Sequence, residues 1–191
     1  MKGLKVRGWE VVTVAIFIVM AMAATALARD TYLDLGYNCP SDGVSGTKAD
    51  QFGFIRCNCT SYAAKKMSEH GVDIHDTYLT VSGKTTHEGW HHAKNWIAAT
   101  KAAMNAGADI SYNTSPKHRD IAVWTGGTYG HVAYVESVDS KGNITVSDYN
   151  HDGKLVYASS RTLSIATKGM DPNKKGYPDR YPQYFIHFGA K

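Results

Sequence analysis

The sequence predicts an α+β fold in which N-terminal helices pack on an antiparallel β-sheet. Residues 60–70 are fair helix formers closed by Gly71, and residues 93–106 place Trp96, Ile97, Thr100 and Met104 on one helical face before Gly107. From residue 121 onward short apolar and alternating runs are separated by turn residues, the clearest turn being Asp139-Ser140-Lys141-Gly142.

The chain begins with Lys2, Lys5 and Arg7, an apolar run over residues 11–27, and Ala26-Leu27-Ala28 ahead of Arg29-Asp30. This is the pattern of a secretory signal peptide, residues 1–28, with cleavage after Ala28. The run is at the short end for a bilayer span. No cysteine follows the cleavage site, so a lipid anchor is not indicated. Residues 29–191 then suffice for one domain with its own core, secreted or periplasmic, with no membrane partner after cleavage. Loss of Lys2, Lys5, Arg7 and Glu10 lowers the net charge from +4 to +2, too weak a balance for a nucleic-acid partner.

Residues 29–58 are rich in Asp, Gly, Asn and Ser without a period and read as an irregular arm. Asp34, Asp42 and Asp50 are too far apart to form a calcium loop. Three cysteines in an exported chain read as one bridge and one free thiol. Cys57 with Cys59 would close a very tight ring, whereas Cys39 and Cys57, 18 residues apart, enclose Pro40, Gly43, Gly46 and Gly53. A Cys39–Cys57 disulfide is therefore expected, contributing about 3 kcal/mol by the chain-entropy account. Cys59 is left free at a helix start, where unpaired N–H groups favour a thiolate.

Residues 72–84 read as a loop with at most a short strand. His87 and His91 have the i, i+4 spacing of a zinc pair, with His92 beside them. A cleft wall or solvent is the commoner setting, and neither metal nor cofactor is expected. Strands are predicted over residues 121–124, 130–138, 143–150, 155–163 and 184–188, with a Pro-, Gly- and Lys-rich loop over 168–182.

A four-residue turn at 139–142 pairs Val138 with Asn143 and puts His131 opposite Asn150. Ala133, Val135, Ile144, Val146 and Asp148 then share the face of His131. An apolar face ending in His, Asp and Asn is not an ordinary core face, since burying those groups unpaired is costly. A cysteine opening a helix, a histidine opening a strand, and a carboxylate or amide on the next strand make the arrangement of a papain-like thiol hydrolase.

These residues resemble the CHAP family, cysteine- and histidine-dependent amidohydrolases and peptidases of the NlpC-type, papain-like superfamily. The likeness spans roughly residues 50–150. It is carried by Cys59-Thr60-Ser61-Tyr62-Ala63, by Gly89-Trp90-His91-His92-Ala93-Lys94-Asn95-Trp96, and by Pro116 with Asp120-Ile121-Ala122-Val123-Trp124. Gly130-His131-Val132-Ala133-Tyr134-Val135 and Asp148-Tyr149-Asn150 complete it. The resemblance implies Cys59 as nucleophile, His131 as general base and acid, Asp148 as the group orienting the imidazole, and Asn150 as an accompanying polar group. Asp148 stands where the family usually has the longer Glu, and Arg119 where it usually has glycine.

Trp90, His91, His92 and Trp124 are expected to line the substrate cleft. The implied partner is peptidoglycan, cut as by an N-acetylmuramoyl-L-alanine amidase or a peptidoglycan endopeptidase, with a protein inhibitor left open. Other readings are an amidase or transferase on another small amide, a secreted toxin, a non-catalytic wall-binding module, and a thiol redox protein using Cys57 and Cys59.

Overall fold

A computed structural model describes residues 39, 47–174 and 176–189. The expected signal peptide and most of the arm lie outside the described residues. Among the described residues, no helix is long and apolar enough to cross a membrane.

Helix α1 spans Cys59–Ser68 and buries Tyr62, Ala63, Ala64 and Met67. Its end is a Schellman closure, in which the Gly71 N–H donates to the Ser68 carbonyl at 3.2 Å and the Val72 N–H to the Met67 carbonyl at 3.1 Å. Helix α2 spans Trp96–Asn105 after a 3₁₀ turn at Ala93–Asn95, and closes the same way at Gly107. The segment before α1 is tied down by Asp50, whose carboxylate accepts from the N–H groups of Phe52 (2.8 Å) and Phe54 (3.0 Å) and from the Ser61 hydroxyl. Cys39 and Cys57 form a disulfide, with Cα atoms 5.9 Å apart.

The stretch expected to be mostly loop is a small antiparallel sheet of β1 (Asp73–Ile74), β2 (Leu79–Val81) and β3 (Lys84–Thr86). Ser82 and Gly83 both have positive φ, 50° and 76°, which makes a two-residue turn of the kind that matches strand twist. Strands of two or three residues are too short to show alternation, so only that Ser-Gly pair marked the hairpin.

The main sheet has six strands, β4 (Ile110–Asn113), β5 (Ile121–Trp124), β6 (His131–Val138), β7 (Ile144–Tyr149), β8 (Tyr157–Leu163) and β9 (Tyr184–Phe188). Their order is β4-β9-β5-β6-β7-β8 and every neighbouring pair is antiparallel. The fold is α+β, with the helices packed on one face of an antiparallel sheet. That face joins α1 and α2 to Ile121, Val123, Val132, Tyr134 and Ile186. The other face, bearing Trp124, Ala133, Val135, Ile144, Val146 and Phe185, is covered by Ile165, Tyr177 and Tyr181 from the loop after β8. Burial on both faces explains why all of β5 is buried.

The β6–β7 hairpin departs from the expected register at its turn and returns to it near His131. Asp139 accepts from the N–H groups of Lys141 (2.8 Å) and Asn143 (2.9 Å), which tightens the turn so that Val138 pairs with Ile144 instead of Asn143. A bulge between Val135 and Ser137 absorbs the slip, so Val135 faces Val146 and Tyr134 faces Ser147, as a Val138–Asn143 pairing would have them.

Candidate active site

Cys59 is the first residue of α1, is free among the described cysteines, and is 9% exposed. The residue before it, Asn58, is extended and its side chain makes no cap hydrogen bond. That side chain instead accepts from Asn150 Nδ2 at 2.6 Å. A helix start not closed by its cap residue leaves N–H groups to favour negative charge on a thiol in the first turn.

His131 opens β6 behind Gly130, whose φ is 73° and which has no room for a side chain. A Cβ there would lie 2.4 Å from the Lys94 backbone nitrogen. The imidazole is buried and packs against the Trp124 indole, with ring centres 5.3 Å apart. Its Nε2 donates to Asp148 Oδ2 at 2.9 Å, and Asp148 is fully buried on β7. Nε2 being so engaged, Nδ1 is the ring nitrogen left to face Cys59, which lines the same cleft. Burial alone would discourage charge on the ring, but the Cys59 charge and the hydrogen bonds to Asp148 and Cys59 outweigh it and push the His131 pKa up to about 9. Burial likewise opposes charge on Asp148, yet His131 and Arg161 hold its carboxyl below the usual range.

Asn150 sits just beyond β7 with φ at 60°, and its side-chain hydrogen bonds go to Asn58 and Leu155. Besides its bond to Asn58, its Oδ1 accepts from the Leu155 N–H at 2.9 Å. It therefore fastens the end of β7 to the residue before α1.

Cys59 and His131 lie in a cleft of about 980 Å³ whose walls include Ile55, Asp76, His91, His92, Tyr129 and Tyr177. His91 and His92 thus line the cleft, but Trp90 and Trp124 are wholly buried. Trp90 packs edge-on against Trp96, and Trp124 donates its Nε1–H to the Arg180 carbonyl at 2.8 Å and supports His131 from behind. Large rings find more apolar area in the core than on a cleft wall.

The i, i+4 spacing of His87 and His91 is not on a helix, and His91 Nδ1 instead meets the Asp76 carboxylate at 2.9 Å. Among the described residues, no group of three His, Cys, Asp or Glu is arranged to hold a metal ion. The redox reading of Cys57 and Cys59 loses its pair, because Cys57 is bonded to Cys39.

Three neighbours of the site were not anticipated. Arg161 on β8 donates through Nε to Asp148 Oδ2 at 3.1 Å and through Nη2 to the same oxygen. His151 Nδ1 lies 3.6 Å from Asp148 Oδ1. Tyr177, from the 3₁₀ turn at Tyr177–Asp179, donates its hydroxyl to the Gly130 carbonyl at 3.0 Å. Burial and the Cys59 charge raise the Tyr177 pKa. An arginine on a strand whose pairing partner carries Asp148 was the one signal that sequence offered, Arg161 facing Val146, two residues before Asp148.

The model of the CHAP domain matches residues 49–150, more than half of the chain. The chain is 44% identical over 77 residues to the staphylococcal secretory antigen ssaA2 of Staphylococcus aureus (strain NCTC 8325 / PS 47), covering 40% of this chain and 27% of that protein. It is 40% identical over 80 residues to the secretory antigen SsaA of the same strain, covering 42% and 29% of the two chains. The matched stretch is thus under a third of the length of these relatives. A crystal structure of an N-acetylmuramoyl-L-alanine amidase from Staphylococcus aureus aligns over 80% of this chain and 37% of its own, with 25% identity and a TM-score of 0.48. By the extent of the family match, the chain belongs to the CHAP domain family.

Proposed function

We propose that this protein is an exported thiol hydrolase that cleaves amide bonds in peptidoglycan, as an N-acetylmuramoyl-L-alanine amidase or an endopeptidase. The observation that carries the reading is the line from the free Cys59 thiol through the His131 ring to the buried Asp148 carboxylate, with 2.9 Å between the last two. Family membership, and relatives named as secretory antigens, favour the substrate and the export.

In this reading the Cys59 thiolate attacks the carbonyl carbon of the amide, and the helix-start N–H groups stabilise the oxyanion. The His131 imidazolium gives its proton to the leaving amine nitrogen as the C–N bond breaks, leaving a thioester on Cys59. Water then attacks the thioester carbonyl while His131 takes its proton; the C–S bond breaks, the acid is released, and Cys59 returns to the thiolate beside the His131 imidazolium. Asp148 keeps the ring oriented and its Nε2 protonated.

Mass spectrometry of fragments released from purified peptidoglycan tests the proposal. An amino-sugar end with a free stem peptide identifies an amidase, and a new amine within the peptide an endopeptidase. Release undiminished in Cys59→Ala would exclude the thiol mechanism.

A further inference from the structure

We propose that Arg161 is a positioning residue for the Cys59–His131 pair, fixing Asp148 as a carboxylate and limiting how firmly the imidazole holds its proton. This deepens the thiol-hydrolase reading and rests on it.

Asp148 is fully buried, and its Oδ2 is shared by two cations, His131 Nε2 at 2.9 Å and the Arg161 fork through Nε (3.1 Å) and Nη2. The far side of the guanidinium is pinned as well. Nη1 donates to the Pro178 carbonyl at 2.9 Å and lies 3.5 Å from Asp179 Oδ1. Those acceptors belong to the turn whose Tyr177 hydroxyl holds the Gly130 carbonyl next to His131. A planar fork held at both ends leaves the Asp148 carboxylate little rotation.

Satisfying a buried carboxylate explains one cation, but the second has a further effect. A guanidinium bonded to the same oxygen as an imidazolium repels it and takes part of the carboxylate's attraction. Asp148 alone would make the imidazolium a stronger proton holder and a poorer acid toward the leaving amine. The charged or titratable groups meeting here are Cys59 from α1, His131 from β6, Asp148 from β7, His151 from the loop after it, Arg161 from β8, and Tyr177 and Asp179 from the turn. Of these, Arg161 is the permanent cation.

The test is the pH profile of Cys59 alkylation by iodoacetamide in the oxidised protein, where Cys39 and Cys57 are bridged. It needs no peptidoglycan. Arg161→Met is expected to move both the acid limb, where the thiolate forms, and the basic limb, where the imidazolium is lost, to higher pH by about one unit. Arg161→Lys, which keeps the charge without the fork, is expected to hold both limbs within a few tenths of a unit while lowering turnover.

If Arg161→Met is too unstable to purify, Arg161→Gln, neutral and still able to donate to Pro178, carries the same comparison. A lower melting temperature with both limbs unmoved would make Arg161 structural and overturn the proposal. Wild-type alkylation that follows an ordinary thiol titration near ~8.5 would overturn the Cys59–His131 pair itself, and this proposal with it.

Discussion

Asn150 Nδ2 donates to Asn58 Oδ1 at 2.6 Å, tying the end of β7 to the residue that precedes the Cys59 helix, while Asp148, two residues earlier, holds His131. The two polar residues of one motif therefore have different tasks. Asp148→Asn removes the negative charge beside the imidazolium, so the His131 pKa falls from about 9 and the basic limb of the pH–rate profile moves to lower pH. Asn150→Ala should leave that limb in place and cost about 1–2 kcal/mol of stability, read by denaturant unfolding. A silent Asp148→Asn beside a damaging Asn150→Ala would reverse the assignment.

Stability should carry the same signature. The folded His131 pKa is raised above its unfolded value of 6.5, so its contribution is fully present below about pH 6.5 and is lost as pH rises through about 9. Cys59→Ala removes the charge that does most to raise that pKa against burial. Its melting temperature should decline less than the wild type's between those pH values, and an identical decline would show that the thiol does not charge the ring.

Cys57→Ser opens the disulfide to Cys39 and should lower stability by about 3 kcal/mol, since the cross-link spans 18 residues. Hydrolysis well below the melting temperature should remain appreciable. Loss of activity as complete as in Cys59→Ala would revive a role for Cys57 in the chemistry.

Arg119 has φ at 73°, the conformation for which glycine is suited, and glycine is the residue the family usually has there. Both Arg119→Gly and Arg119→Ala lose the guanidinium and its interaction with Tyr134. Their difference isolates the backbone. The glycine variant should be the more stable of the two by roughly 1 kcal/mol, and equal stabilities would place the strain elsewhere.

What the sequence disclosed follows the range of the signal. Glycines at 71 and 107 stop the helices, and the runs at 121–124 and 184–188 coincide with β5 and β9, because these depend on local propensity and burial. β4 went unread: Ile110–Asn113 follows a helix stop directly and is a strand only because β9, far along the chain, lies beside it. The hairpin error had a local cause, the Asp139 side chain, and a bulge at Glu136 undid its effect where it mattered. That Cys59, His131 and Asp148 meet was legible from polar residue types placed where a helix and a strand begin and near the end of the next strand. Arg161 and Tyr177 were not, since they reach the site from a strand whose partner the sequence does not mark and from an irregular turn.

The partners of the reactive pair belong to different layers of the fold. Cys59 comes with the helices on one side, while His131 shares its side with Trp124, Ala133 and Val135 under the loop that follows β8. Because Cys59 belongs to α1 and His131 to β6, the thiol has its imidazole only while that helix is docked on the sheet, so loosening α1 alone should separate the pair.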